Sequence, residues 1–169
     1  MLAYNDETNR QIIRFLKNVT KGEYKIYNSG VMMAPPKEKR RIEFKFDDFV
    51  STGSIYQKKI VTKDGMRIGS VADYKCQLLI RVIDTPIDSA RIAGLIAGAI
   101  QTNEYLYSFI DSSLYLKNQT TSVVPFVVQR DNVVISYQDV IVNCVKAIEY
   151  EMPINYFDTV NSKLVIEEN

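Results

Sequence analysis

The densest group of chemically active side chains lies at residues 37–41, Lys37-Glu38-Lys39-Arg40-Arg41. A cationic run of this kind can neutralise phosphates or dock an acidic protein surface. Pro35-Pro36 just before it breaks regular structure, which places the cations in a loop. No recognised nucleic-acid motif surrounds them. A solvated loop or protein-docking arm is therefore expected ahead of contact with DNA or RNA. Lys58, Lys59 and Arg67 add further cations around Lys63-Asp64-Gly65, where Asp-Gly suits the positive φ of a tight hairpin turn.

Other chemistries lose their required residues. The chain has no histidine, which removes Ser-His-Asp and Cys-His catalysis and every histidine general base. Cys76 and Cys144 are the only cysteines. Both fall in apolar, strand-like runs, as small core residues do. A disulfide would need an oxidising compartment that nothing in the sequence implies. Two thiolates without histidine do not complete a zinc site. Asp47-Asp48 is a carboxylate pair, but adjacent strand positions point to opposite faces. Gly65-Met66-Arg67-Ile68-Gly69 lacks the glycine spacing and following helix of a dinucleotide fingerprint. A carboxylate, lysine or tyrosine enzyme has no supporting constellation. Such an enzyme stays open on the residues alone.

The elements that must position these groups follow from periodicity. Asn5–Thr20 is expected to be a helix, capped by Asn5 or Asp6 and stopped near Gly22. Tyr24–Asn28 is a short strand. Ile42–Val50 alternates, with Ile42, Phe44 and Phe46 on one side. Ser54–Thr62 and Asp73–Ile83 are further strands, the latter with Tyr74, Cys76, Leu78, Ile80 and Val82 on one face. Ser113–Lys117 suits a short strand. Val123–Tyr137 is apolar but interrupted by Pro125 and Arg130-Asp131-Asn132. Val140–Met152 is a long strand with Val140, Val142, Cys144 and Lys146 on one face. Residues 155–169 read as an acidic C-terminal arm.

Asp84–Gln101 is the second helix and the centre of the chain. Thr85 is its expected N-cap, Pro86 sits at the first helical position, and Asp88 approximates a capping box. Ala93, Ile96, Ala97 and Ile100 share one face. Ala90, Gly94 and Gly98 form a smooth strip. Each glycine costs about 1 kcal/mol of helix propensity relative to Ala. A sheet or neighbouring helix packed close to the backbone would offset that. The apolar run is bounded by Arg91 and Gln101 and falls short of the roughly 20 residues a membrane span needs. Met1–Asp6 lacks the start of a signal peptide. No membrane partner is expected.

Met1–Ile83 holds 16 Lys/Arg against 9 Asp/Glu, and Asp84–Asn169 holds 5 against 11, so the halves carry +7 and −6. Such asymmetry suits head-to-tail contact between copies. The order of helix, strands, helix, strands is not a regular βαβ alternation. It predicts one α+β domain over residues 1–169. Its sheet is largely antiparallel, with the N-terminal and central helices on one face, a long hairpin and a C-terminal arm.

Across about Thr8 to Asp158 this layout resembles the tail terminator, or neck terminator, proteins of tailed bacteriophages. The resemblance rests on several segments in order. The helix IIRFLKNV leads to the strand YKIYNS and the loop APPKEKRR. Ile55-Tyr56-Gln57 precedes strands ending in QLLIRVID. The helix TPIDSARIAGLIAGAI follows, then VVPFVV, Arg130 and the strand DVIVNCVKAIEYEMPINYF. The resemblance implies a hexameric ring of identical subunits that caps the tail tube, ends its polymerisation and joins the tail to the neck. It implies as partners the tail tube protein and a neck, head-completion or connector protein, with the sheath protein as a further candidate. It implies a place in the virion after assembly in the host cytoplasm. It also implies a protein that is not an enzyme and uses no cofactor, metal or small-molecule substrate. Lys37, Lys39, Arg40, Arg41, Lys58, Lys59, Arg67 and the strip Ala90, Gly94 and Gly98 are the expected interface residues. Two alternatives stand beside it, another head–tail connector such as a stopper or adaptor, and a nucleic-acid-binding module built on loop 37–41.

Overall fold

The alternating apolar residues expected to face inward do meet in one buried cluster. In the computed structural model of the chain, Ile42, Phe44 and Phe46 join Cys76, Leu78, Ile80 and Val82, and Val140, Val142 and Cys144. Ile12, Phe15 and Leu16 from the first helix and Ile92, Ala93, Ile96 and Ile100 from the second belong to the same cluster. The structure describes residues 6–34, 36–62, 65–102, 105–106, 108, 114–116, 122–130 and 133–151.

Among these residues the order is α1 (Asp6–Val19), β1 (Lys25–Asn28), β2 (Arg41–Thr62), β3 (Gly65–Ile83), α2 (Pro86–Gln101), β4 (Leu114–Leu116), β5 (Ser122–Arg130) and β6 (Val133–Glu151). The strands form one six-stranded sheet in the order β1-β2-β3-β6-β4, with β5 also on β6. β1 runs parallel to β2, while β4 and β5 run antiparallel to β6. Side-chain pairs Cys76–Cys144, Gln77–Asn143 and Arg81–Asp139 step in opposite directions along β3 and β6, the antiparallel relation. The expected α+β class with a largely antiparallel sheet is what the chain adopts. The parallel β1–β2 pair makes the sheet mixed.

The chain divides into two compact units. One comprises residues 1–50 and 75–146, the other residues 51–74 and 147–169. The first holds both helices and the core cluster. In the second, Thr52 Oγ1 donates to the Asp73 carbonyl at 3.0 Å, and Val71 and Ala72 are buried.

Local chemistry sets the element ends. α1 stops with Gly22 N–H bonded to Lys17 C=O at 2.8 Å and Lys21 N–H to Asn18 C=O at 3.1 Å. This is the Schellman pattern, in which the residue after the cap turns left-handed. Here that residue is Lys21, at φ 52°, followed by Gly22 at 74°. At α2, Thr85 Oγ1 accepts from Asp88 N–H at 3.2 Å and donates to Asp88 Oδ2 at 2.9 Å. Pro86 opens the helix as expected. β2 and β3 are longer than their sequence signals. The separate strands expected on either side of Ser51-Thr52-Gly53 are one strand, and Gly53 sits within it at φ 76°, a left-handed conformation that a bulge glycine takes without steric cost. Pro125 lies inside β5 rather than ending it, because β5 pairs with β6 along one edge only among the described residues. An edge strand tolerates a missing N–H donor. The Asn5 cap and the arm 155–169 lie outside the described residues.

Candidate interaction surface

Loop 37–41 is held at Glu38, Arg40 and Arg41. Glu38 turns inward to β1, where its carboxylate accepts from Lys25 Nζ at 2.8 Å. Hydrogen bonds from Lys25 and Tyr27 hold the Glu38 carboxyl at about 2, well below the usual range. Arg40 turns toward the junction of β3 and α2. Its Nε donates to Asp84 Oδ2 at 2.9 Å, and an Nη donates to the Tyr24 hydroxyl at 3.2 Å. The guanidinium also lies 4.5 Å from the Tyr24 ring centroid and 3.4 Å from Glu23 Oε2. Tyr24 donates its own hydroxyl proton to Asp84 Oδ2 at 2.5 Å, and Asp84 Oδ1 accepts from Thr85 N–H at 2.8 Å. Burial, then the bond to Asp84, raises the Tyr24 phenol above its ordinary value. Arg41 bonds Glu43 at 2.6 Å and the Glu38 carbonyl at 2.5 Å.

Of the four cations, then, Arg40 and Arg41 are occupied by the chain's own carboxylates. Lys37 and Lys39 are exposed and pair with nothing among the described residues. Lys39, Arg40 and Arg41 line an open cavity of about 640 Å³ together with Ile83, Thr85, Pro86 and Ile135. The structure therefore brings the basic loop and the start of α2 together. Lys58 and Lys59 lie on β2 and Arg67 on β3, but their side chains fall outside the described residues.

The glycine strip corrects an expectation. Ala90, Gly94 and Gly98 are exposed, and a Cβ built on Gly94 or Gly98 meets no atom within 4 Å. No sheet or helix of this chain packs close to them among the described residues. The buried side of α2 is instead Ser89, Ile92, Ala93, Ile96 and Ile100. Beside the strip, Ile87 is 81% exposed and Leu95 49%.

Reasoning from the sequence did not single out a second set of surface residues. β5, which contacts α2, exposes Val123, Phe126, Val127 and Val128, with Val127 at 69%. β6 adds Ile135. The signal was present in VVPFVV, an apolar run on both parities around a proline, which fits an edge strand with little cover. Behind this patch, Arg81 makes two bonds of 2.8 Å to the buried Asp139 and lies 4.1 Å over the Tyr137 ring. The bond to Asp139 raises the arginine further above its ordinary value. Tyr137 stacks on Phe126 with centroids 5.0 Å apart. This chain of contacts fixes β5 against the sheet and holds the apolar surface in place.

No family model and no curated protein matches the chain. Among the described residues no group of three or more His, Cys, Asp or Glu side chains is placed to hold a metal ion. Nor is any described helix long and apolar enough to cross a membrane.

Proposed function

We propose that the chain is a structural assembly protein that works by associating with copies of itself and with other proteins. The observation that carries this is the apolar surface along α2 and β5. Ile87 and Leu95 flank an open Ala90-Gly94-Gly98 strip, and Val123 and Val127 are exposed on the face of β5 that shares the parity of the core residues of β6. An exposed apolar patch of this kind marks an interaction site, and the small residues let a partner backbone approach closely. Taken with the sequence resemblance, the assembly is a ring of the phage tail terminator kind, hexameric, set between the tail tube and the neck. Its role there is to stop tube growth and present a joining surface. The divided charge of the two halves suits a ring built head to tail.

The nucleic-acid alternative is weakened by the ion pairs of Arg40 and Arg41. With only Lys37 and Lys39 free in the loop, phosphate binding would show a salt slope of roughly −2 on a log–log plot.

The test is mass in solution by light scattering, with negatively stained images of the chain alone and mixed with purified tail tubes. Six-fold rings or capped tubes of fixed length are expected. A strict monomer that leaves tube growth unaffected would overturn the proposal.

A further inference from the structure

We propose that Cys76 and Cys144 are a site of oxidative modification, a dithiol that a hydroperoxide converts into a disulfide joining β3 to β6. The two residues face each other across the strand pair, with Gln77–Asn143 next in the same register. Their sulfurs lie 3.3 Å apart, both as free thiols and both buried. Opposed residues of antiparallel strands have Cα atoms about 4.5–5.5 Å apart, inside the roughly 4.4–6.8 Å that a disulfide spans. Closing the bond needs side-chain rotation and no separation of strands.

Two core thiols in contact are by themselves only packing. What sets this pair apart is Lys146, two residues along β6 on the same face. Its side chain is 5% exposed, its Nζ has no hydrogen-bond partner among the described residues, and it lies 5.2 Å from the Phe46 ring centroid. A buried ammonium favours a thiolate beside it. Cys144 has an acceptor for its proton in the Cys76 carbonyl, at 3.5 Å. Cys76 is thus the nucleophile, its thiol held below the ordinary range by the bond from Cys144 and then by Lys146. Cys144, pushed up by the same bond and by burial, keeps its proton.

In the reaction, written for hydrogen peroxide, the Cys76 thiolate attacks one peroxide oxygen and the O–O bond breaks. The departing hydroxide takes a proton and leaves as water. The resulting Cys76 sulfenic acid is attacked by the Cys144 sulfur. Its hydroxyl departs with the Cys144 proton as a second water, and the S–S bond is formed. Two electrons pass from the sulfur pair to one peroxide. Burial of both sulfurs restricts the oxidant to a small neutral molecule.

The test treats the reduced full chain with hydrogen peroxide, then denatures it, alkylates it and weighs it. The expected product takes up no alkylating agent and is lighter by two hydrogens. It yields a linked pair of Cys76 and Cys144 peptides and is restored by dithiothreitol. In the folded Cys144→Ser variant, dimedone should trap a sulfenic acid on Cys76, whereas Cys76→Ser should remain unmodified at Cys144. Lys146→Met should slow sulfenic acid formation several-fold with circular dichroism unchanged, and Lys146→Arg should restore much of the rate. Two alkylatable thiols surviving peroxide, or links formed only between chains, would overturn the site. An unchanged rate in folded Lys146→Met would overturn the part given to the lysine.

Discussion

The interior of the helix-bearing unit and its outer surface along α2 and β5 depart from ordinary burial in opposite directions. Inside, Lys146 places an ammonium in the buried interior with no hydrogen-bond partner among the described residues. Outside, Ile87, Leu95 and Val127 expose large apolar groups with no cover among the described residues. The inner exception must be met by the fold's own stability, because everything it touches belongs to the chain. The outer one costs the isolated fold little and acquires a purpose only when something else covers it. Stability measurements therefore address the first region and association measurements the second.

The sharpest break would come from adjacent residues of α2. Ile96 is fully buried and Leu95 is half exposed. Ile96→Ala should cost about 2–5 kcal/mol in urea unfolding, and Leu95→Ala no more than about 0.5 kcal/mol. Equal costs would mean that α2 is rotated from the orientation described. Leu95→Ala should instead weaken self-association.

Lys146→Met should raise stability by about 1–3 kcal/mol, since it removes a buried polar group without a partner. The effect carries a pH signature. Burial holds the lysine below its ordinary 10.5. From that lowered value up to 10.5 the unfolded chain binds more protons than the folded one, so wild-type stability rises with pH across the window. The advantage of Lys146→Met should be largest below the lysine's lowered value and shrink as pH rises toward 10.5. An advantage constant with pH would show that burial does not lower the lysine in the folded chain.

Arg40 is a surface residue that behaves like an interior one. Arg40→Ala strips the cation from Asp84, whose side chain is only 10% exposed, and should cost about 1–2 kcal/mol. Lys39→Ala should fall within about 0.5 kcal/mol. Comparable thermal shifts for the two would refute the anchoring role.

The smallest expected effect is at the strip. Gly94→Ala adds a methyl group in open space and should stabilise the monomer by about 0.5–1 kcal/mol through helix propensity. Gly94→Leu should leave a folded domain and impair only the assembly. Unfolding of Gly94→Leu would mean that the strip packs within the chain.

Much of this was legible because strand periodicity is unambiguous where one face is buried. The parity of Ile42, Phe44 and Phe46, and of Cys76 through Val82, reads straight into the core cluster. The Thr85-Pro86-Asp88 start of α2 carries its own local chemistry and was equally plain. The face of α2 bearing Ala93, Ile96 and Ile100 also reads into the core, but apolar and small residues run around most of the helix, and periodicity could not show that the glycine strip lies open. Gly53 was misleading in another way. It does take the conformation of a turn, but the hydrogen-bonded ladder continues through it. The occupancy of Arg40 was invisible for a simpler reason, since its carboxylate partner lies 44 residues further along the chain.

That carboxylate gives loop 37–41 a mechanical role. Asp84 holds Arg40 and Tyr24 with one oxygen and the backbone of Thr85 with the other, and Thr85 is the residue that closes the first turn of α2. The loop and the helix start are latched together. A partner that pulled the loop outward would have to release Asp84 first, and the strain would reach the first turn of the helix before any other part of the sheet. Whatever grips the two free lysines of the loop thus also has a handle on the apolar helix surface that begins one turn away.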